Sequence, residues 1–268
     1  MTGNMTLVAG IVDSEDVVLG GDGLLLCRGT PFSNQYLKSA ALNHDLAVAF
    51  SGDVWWASYV LCRLFGHLEW RDDRNICERW ENTPGTSNLT MEIAHGIVGS
   101  SIRSLLADEK FACAGREGLG IMLAGRFNGK PHLCVWGWDV ESNKIGYREG
   151  DFGHLSIGIA RPSLEVNQEY EKRLTCGSQE AESAIVQAIR GVEEHTAAQV
   201  NRNICTRRLG NGEHFAKRWW IDTVVPSSWP APSSSTYPVV QCDFSTRWNY
   251  RCSTIRPQKA CGEELARG

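Results

Sequence analysis

The chain has 268 residues, with 27 lysines and arginines against 31 acids, a net charge of −4 and 42% hydrophobic residues. That balance leaves no basic footprint for nucleic acid, and no apolar run approaches the roughly 18 residues of a membrane-spanning helix. The N-terminus lacks the basic start and apolar stretch of a signal peptide, so the expectation is a cytoplasmic protein with a substantial buried core.

Residues 6–12 (TLVAGIV) and 17–21 (VVLGG) read as two buried strands, with the polar turn Asp13-Ser14-Glu15-Asp16 between them. Leu24 to Arg28 continues as strand, and Leu46 to Phe50 is another short apolar strand that ends at Ser51-Gly52. Asp53 opens a helix whose apolar face runs from Trp55-Trp56 to Phe65. The charged stretch 67–88, with Pro84-Gly85, reads as an irregular insertion. The spacing of Ile93, Ile97, Ile102, Leu105 and Leu106 predicts a helix over 89–106.

Strands follow over 119–127 and 133–140, joined by the hairpin signal Asn128-Gly129, and then over 144–148 and 155–159. A long helix is expected over 179–200, with Ser178 as its cap and Glu180 and Glu182 in its first turn. Trp219 to Val225 reads as a last core strand. After Pro226, prolines and serines cluster and apolar periodicity stops, so 226–268 reads as an extension. Segregated strands and helices in this order suit an α+β fold, with helices covering both faces of stacked antiparallel sheets.

Several chemistries find no support in the sequence. The ten cysteines are scattered without a C-x-x-C pair and read as small reduced hydrophobes. The seven histidines form no H-x-x-x-H pattern, so no metal site is expected. There is no G-x-S-x-G elbow, and the glycines from Gly118 to Gly125 do not make a phosphate loop, so no cofactor is expected.

One constellation does stand out. Thr6, Asp22, Lys38 and Gly52 follow one another at intervals of 16, 16 and 14 residues. A threonine, an acid, a lysine and a glycine so spaced can build a nucleophile from a chain terminus, provided Thr6 becomes that terminus. Met1 to Met5 stand before it. Each residue also has an ordinary reading: Asp22 as a turn cap before Gly23, Lys38 as a surface lysine, Gly52 as the turn before a helix, and Thr6 as one more strand residue.

TLVAGIV at 6–12, VVLGGDG at 17–23, Lys38, and DLAVAFSGD at 45–53 followed by a helix together resemble the β-type proteasome subunits and the related bacterial HslV-type peptidase. The resemblance covers residues 5–65 well, continues in element order to about 225 and is absent from the tail. It implies a four-layer αββα sandwich over 6–225. Residues 1–5 would be a short propeptide, or would lie upstream of a start at Met5, and 226–268 would be a C-terminal extension. It also implies a threonine-type N-terminal nucleophile peptidase, with Thr6 as nucleophile and its own α-amine as base. An α-amine titrates near about 7.7–8.0, against about 10.4 for lysine, and is therefore available near neutral pH. Lys38 would favour the developing alkoxide, Asp22 would hold Lys38, and the backbone N–H of Gly52 would face the oxyanion. By the same offset Leu25, Tyr36, Ala40, Phe50 and Val54 would line the specificity pocket. Phe50 would make it shallow and apolar, although it also reads as plain core.

The sequence departs from the family pattern in places. Met5 stands where precursors usually carry glycine, and Leu7 replaces a second threonine. The stretch Ser156-Ile157-Gly158-Ile159-Ala160 carries isoleucine where the family has a serine that supports the amine, and an Asp-x-x-Ser pair is replaced by Asn203 to Thr206. Ser156, Asn203 and Thr206 are thus the candidate supporting residues. Asparagine keeps hydrogen bonding but loses the charge. These departures keep two alternatives open: a non-catalytic ring subunit of the same fold, and an amidase acting on a small molecule. The implied partners are a peptide or unfolded protein substrate, further copies in a ring-forming homo-oligomer, and an ATPase regulator, with no nucleic acid or membrane.

Overall fold

A computed structural model describes residues 6–12, 15–27, 30–33, 35–66, 69–70, 77, 88–107, 118–139, 144–150, 153–158, 181–196, 202–210, 215–221, 241–243 and 249–251. The first sheet has the order β11-β1-β2-β12-β13. It is built from β1 (Leu7–Val12), β2 (Val17–Asp22), β11 (Gly153–Gly158), β12 (Ile204–Leu209) and β13 (Ala216–Trp220). The second has the order β10-β9-β8-β6-β5. Its strands are β5 (Ser39–Ala41), β6 (Leu46–Gly52), β8 (Leu119–Phe127), β9 (Lys130–Asp139) and β10 (Lys144–Gly150). All of these pairings are antiparallel.

Alternation along the strands sorts the side chains into layers. Val8, Val12, Val17 and Leu19 of the first sheet meet Ala47, Ala49, Met122, Ala124, Leu133 and Val135 of the second. The intervening residues face outward. On the first sheet Leu7, Ala9, Ile11, Val18 and Ile204 pack against Ala184, Ile185, Val186 and Ile189 of α3 (Ala181–Thr196). On the second, Val48, Phe50, Ile121, Leu123 and Trp136 pack with α1 (Val54–Leu64) and α2 (Met91–Ala107). The result is the expected four-layer αββα arrangement.

The local signals explain the elements. Asp53 Oδ1 accepts from the Trp56 N–H at 3.2 Å and caps α1. Gly66, with φ +70°, ends the same helix. Asn128 and Gly129, at φ 51° and 77°, make a two-residue turn whose twist matches the hairpin β8–β9. Cys62, Cys77, Cys134 and Cys205 are buried.

Some expectations need correction. β3 (Leu25–Cys27) pairs antiparallel with β4 (Thr30–Ser33), a strand that was not expected, and Arg28 lies outside the described residues. β5 and β12 carry no strand-like apolar alternation and were not expected as strands. The last core strand begins at Ala216 and ends at Trp220, because an edge strand with a mostly exposed face has no apolar pattern to reveal it. The expected insertion at 67–88 and extension at 226–268 fall largely outside the described residues. Within them β7 (Glu69–Trp70) pairs with β14 (Gln241–Asp243), and β14 with β15 (Asn249–Arg251). Among the described residues no helix is long and apolar enough to cross a membrane.

Candidate active site

Thr6 lies immediately before β1, Asp22 ends β2, and Lys38 immediately precedes β5. The first two belong to one sheet and the third to the other, so the cluster forms across the gap between sheets. Lys38 Nζ donates to Thr6 Oγ1 at 3.0 Å and to Asp22 Oδ1 at 2.9 Å. Asp22 Oδ1 also accepts from the Leu7 N–H at 2.9 Å, and Oδ2 accepts from the Leu24 N–H at 2.9 Å. Asp22 therefore does both things open to it: it caps the turn at Gly23 and it holds Lys38. Lys38 is 4% exposed, which disposes of its reading as a surface lysine. Burial lowers its pKa, while the charge of Asp22 and the hydrogen bond to it oppose the shift.

Gly52 ends β6 with φ +88°. A Cβ there would stand 2.3 Å from the carbonyl oxygen of Gly118. The position admits only glycine, on conformational and steric grounds together. The next residue, Asp53, donates its N–H to the same oxygen at 3.0 Å.

The supporting candidates separate. Asn203 stands beside the cluster, its carbonyl oxygen accepting from the Gly23 N–H at 2.7 Å, and Ile204 pairs with Asp22. Thr206 does not join it. Its hydroxyl donates to Glu182 Oε1 at 2.6 Å and accepts from Trp220 Nε1 at 2.9 Å, which places it on the α3 side of the first sheet. The backbone of Ser156 pairs with Ala9 on β11, and its side chain lies outside the described residues; Ile157 pairs with Val8.

Leu25, Tyr36, Ala40 and Phe50 are buried in one cluster, with Val54 packed against it. The Tyr36 and Phe50 rings meet edge to face at 6.5 Å between centroids. Phe50, 2% exposed, is core in this structure. Cys205 of β12 is buried in the same cluster and Trp219 of β13 packs against it; the first was missed because β12 went unrecognised, while the second opened the expected last core strand. Among the described residues no group of three or more histidines, cysteines or acids is placed to hold a metal.

Two antiparallel sheets between helices, with the threonine cluster at the head of β1, make a four-layer αββα sandwich. The solved structure of eukaryotic HslV from Trypanosoma brucei has the same fold, with a TM-score of 0.53 at 12% identity, over 76% of this chain and 99% of that one. No protein-family model and no curated protein matches the sequence.

Proposed function

We propose that this chain is a threonine-type N-terminal nucleophile peptidase, working as a proteasome-like ring subunit. The observation that carries the reading is the buried lysine bonded at once to a threonine hydroxyl and an aspartate, at 3.0 and 2.9 Å. Once Thr6 is the terminus, its α-amine takes the hydroxyl proton as Oγ1 attacks a peptide carbonyl carbon. The Lys38 ammonium steadies the oxygen that loses the proton, and the N–H of Gly52 binds the carbonyl oxygen as it turns anionic. Collapse of the tetrahedral adduct breaks the C–N bond. The proton passes to the leaving amine, and an ester on Thr6 remains. Water activated by the same amine then hydrolyses that ester and restores the hydroxyl. Leu25, Tyr36, Ala40, Phe50 and Val54, packed together in the core, are read as the apolar backing of the specificity pocket, with a preference for small or medium apolar side chains before the cut. The working form is a homo-oligomeric ring in the cytoplasm, fed with unfolded protein by an ATPase regulator.

The second reading, a non-catalytic subunit, is favoured by the stretch 156–160, which carries isoleucine where a serine would support the amine, and by Asn203 where an acid would. Intact mass of the protein expressed from its own gene and upstream region separates the two. A mass beginning at Thr6 supports the peptidase, and Thr6→Ala should then abolish peptide hydrolysis while leaving assembly intact. A mass that retains Met5, or unchanged cleavage by Thr6→Ala, overturns it.

A further inference from the structure

Arg207 is among the largest fully buried side chains, at 1% exposure, although it is a cation. It projects from β12 of the first sheet to β5 of the second. Its Nε donates to Ser39 Oγ at 3.0 Å, and its Nη2 donates to the Ser39 carbonyl oxygen at 3.0 Å. Ser39 is the residue after Lys38, and the Lys38 carbonyl oxygen accepts from the Phe50 N–H at 3.0 Å. The backbone that carries Lys38 is therefore held on both sides: by β6 within its own sheet and by Arg207 from the sheet opposite.

That arrangement matters because the cluster is split between sheets. Lys38 must reach across the gap to Thr6 and Asp22, so the length of its reach depends on how the sheets are registered against one another. We propose that Arg207 is a positioning residue, which fixes the backbone at Ser39 and thereby sets where the Lys38 ammonium stands over Thr6 Oγ1. The guanidinium suits the task. Its donors sit in a rigid fork that can serve the hydroxyl and the carbonyl of one residue together, whereas lysine offers a single point charge on a flexible stem. Burying such a group is unfavourable unless its donors are satisfied, so the fork and its acceptors hold each other in place. Arg207 acts on the reaction through Lys38; the hydrogen bonds just described go to Ser39.

The kinetic part of the test rests on the reading of Thr6 as the nucleophile, and the titration part does not. Arg207→Met keeps the stem and removes the fork. Arg207→Lys keeps charge and bulk, and carries the decision where Arg207→Met does not fold. Each is compared with the unsubstituted protein, starting at Thr6, for kcat and KM on an apolar peptide and for the midpoint of Lys38 titration followed by NMR of 13Cε-labelled lysine. Loss of the fork should lower kcat roughly 10–100-fold, the range that a misplacement of about an ångström produces, with KM held within about twofold. The Lys38 midpoint should move by more than about half a unit as its distance from Asp22 changes. Arg207→Lys should restore only a minor part of kcat. Unchanged kcat and an unchanged Lys38 midpoint in a folded Arg207 variant would overturn the proposal. If the unsubstituted protein hydrolyses no peptide, the peptidase reading falls, and the Lys38 titration alone decides the role of Arg207: a moved midpoint sustains it and an unmoved one ends it.

Discussion

An ammonium sealed between two sheets makes stability depend on pH. Burial lowers the Lys38 pKa from its ordinary value of 10.5, against the opposing pull of Asp22. In the unfolded chain Lys38 titrates near about 10.4, so between the lowered native value and that pH the unfolded state binds more protons. Stability contributed at this position is therefore smallest below the native pKa and rises with pH across the window. Urea unfolding of the protein and of Lys38→Met should show their difference shifting in favour of Lys38 as the pH is raised from neutral to about 10. A difference that stays flat would mean that Lys38 titrates alike in both states. Asp22 faces the opposite test. Asp22→Ala leaves a buried cation without its carboxylate, and the N–H groups of Leu7 and Leu24 without their acceptors. The expected loss is about 3–5 kcal/mol, read from urea unfolding at neutral pH. A loss below about 1 kcal/mol would show that water takes over those bonds. At this scale the spacing of Thr6, Asp22 and Lys38 was legible, because strand ends fix where residues at such intervals arrive. Arg207 was not, since arginines stand on both faces of β12: Arg207 turns inward to Ser39, while Arg208 pairs with Asp16. No alternation of apolar and polar residues announces such a strand.

Elements depend on how closely they can approach, and β2 meets α3 at a glycine. A Cβ at Gly20 would stand 2.3 Å from Ile185 Cγ2, so the absent side chain lets the helix lie against the sheet. Gly20→Ala should destabilise by about 1–3 kcal/mol through overpacking. Ile185→Ala alone should lose about 2–5 kcal/mol by leaving a cavity. Because the alanine at 20 then occupies part of that cavity, the double variant should be more stable than the sum of the two losses by about 1 kcal/mol or more. Simple additivity in chemical denaturation would show that the helix shifts as a body instead. Most elements were readable where a pattern and a stop signal coincide. The Asn128-Gly129 turn, the Asp53 cap and the apolar periods of α1 and α2 all did so. What escaped notice were elements whose stability is borrowed from neighbours. β5 has three residues, and β12 is polar along half its length. β13 is an edge strand whose side chains from Ala216 to Arg218 are exposed. Their strand character comes from the ladders they join rather than from their own sequence.

For the whole molecule, the consequence of a site divided between sheets is that its geometry should respond to the packing between them more than to stability as such. Leu19 lies fully buried between the sheets, paired in register with Arg207, whereas Ile189 lies fully buried between the first sheet and α3. Replacing either by alanine should remove a similar amount of stability, about 2–5 kcal/mol, by the same cavity mechanism. The two cavities differ in what they loosen. At Leu19 the sheets can settle toward each other and carry Lys38 away from Thr6, while at Ile189 only the outer helix gains room. Assayed well below both melting temperatures, Leu19→Ala should lose roughly tenfold or more in kcat, the penalty of sub-ångström to ångström displacement, while Ile189→Ala stays within about twofold of the unsubstituted protein. Equal losses in both would tie turnover to overall stability and deny the gap between sheets any special role. A selective loss in Leu19→Ala would show that sheet-to-sheet registration is what keeps the threonine, the lysine and the aspartate within bonding distance.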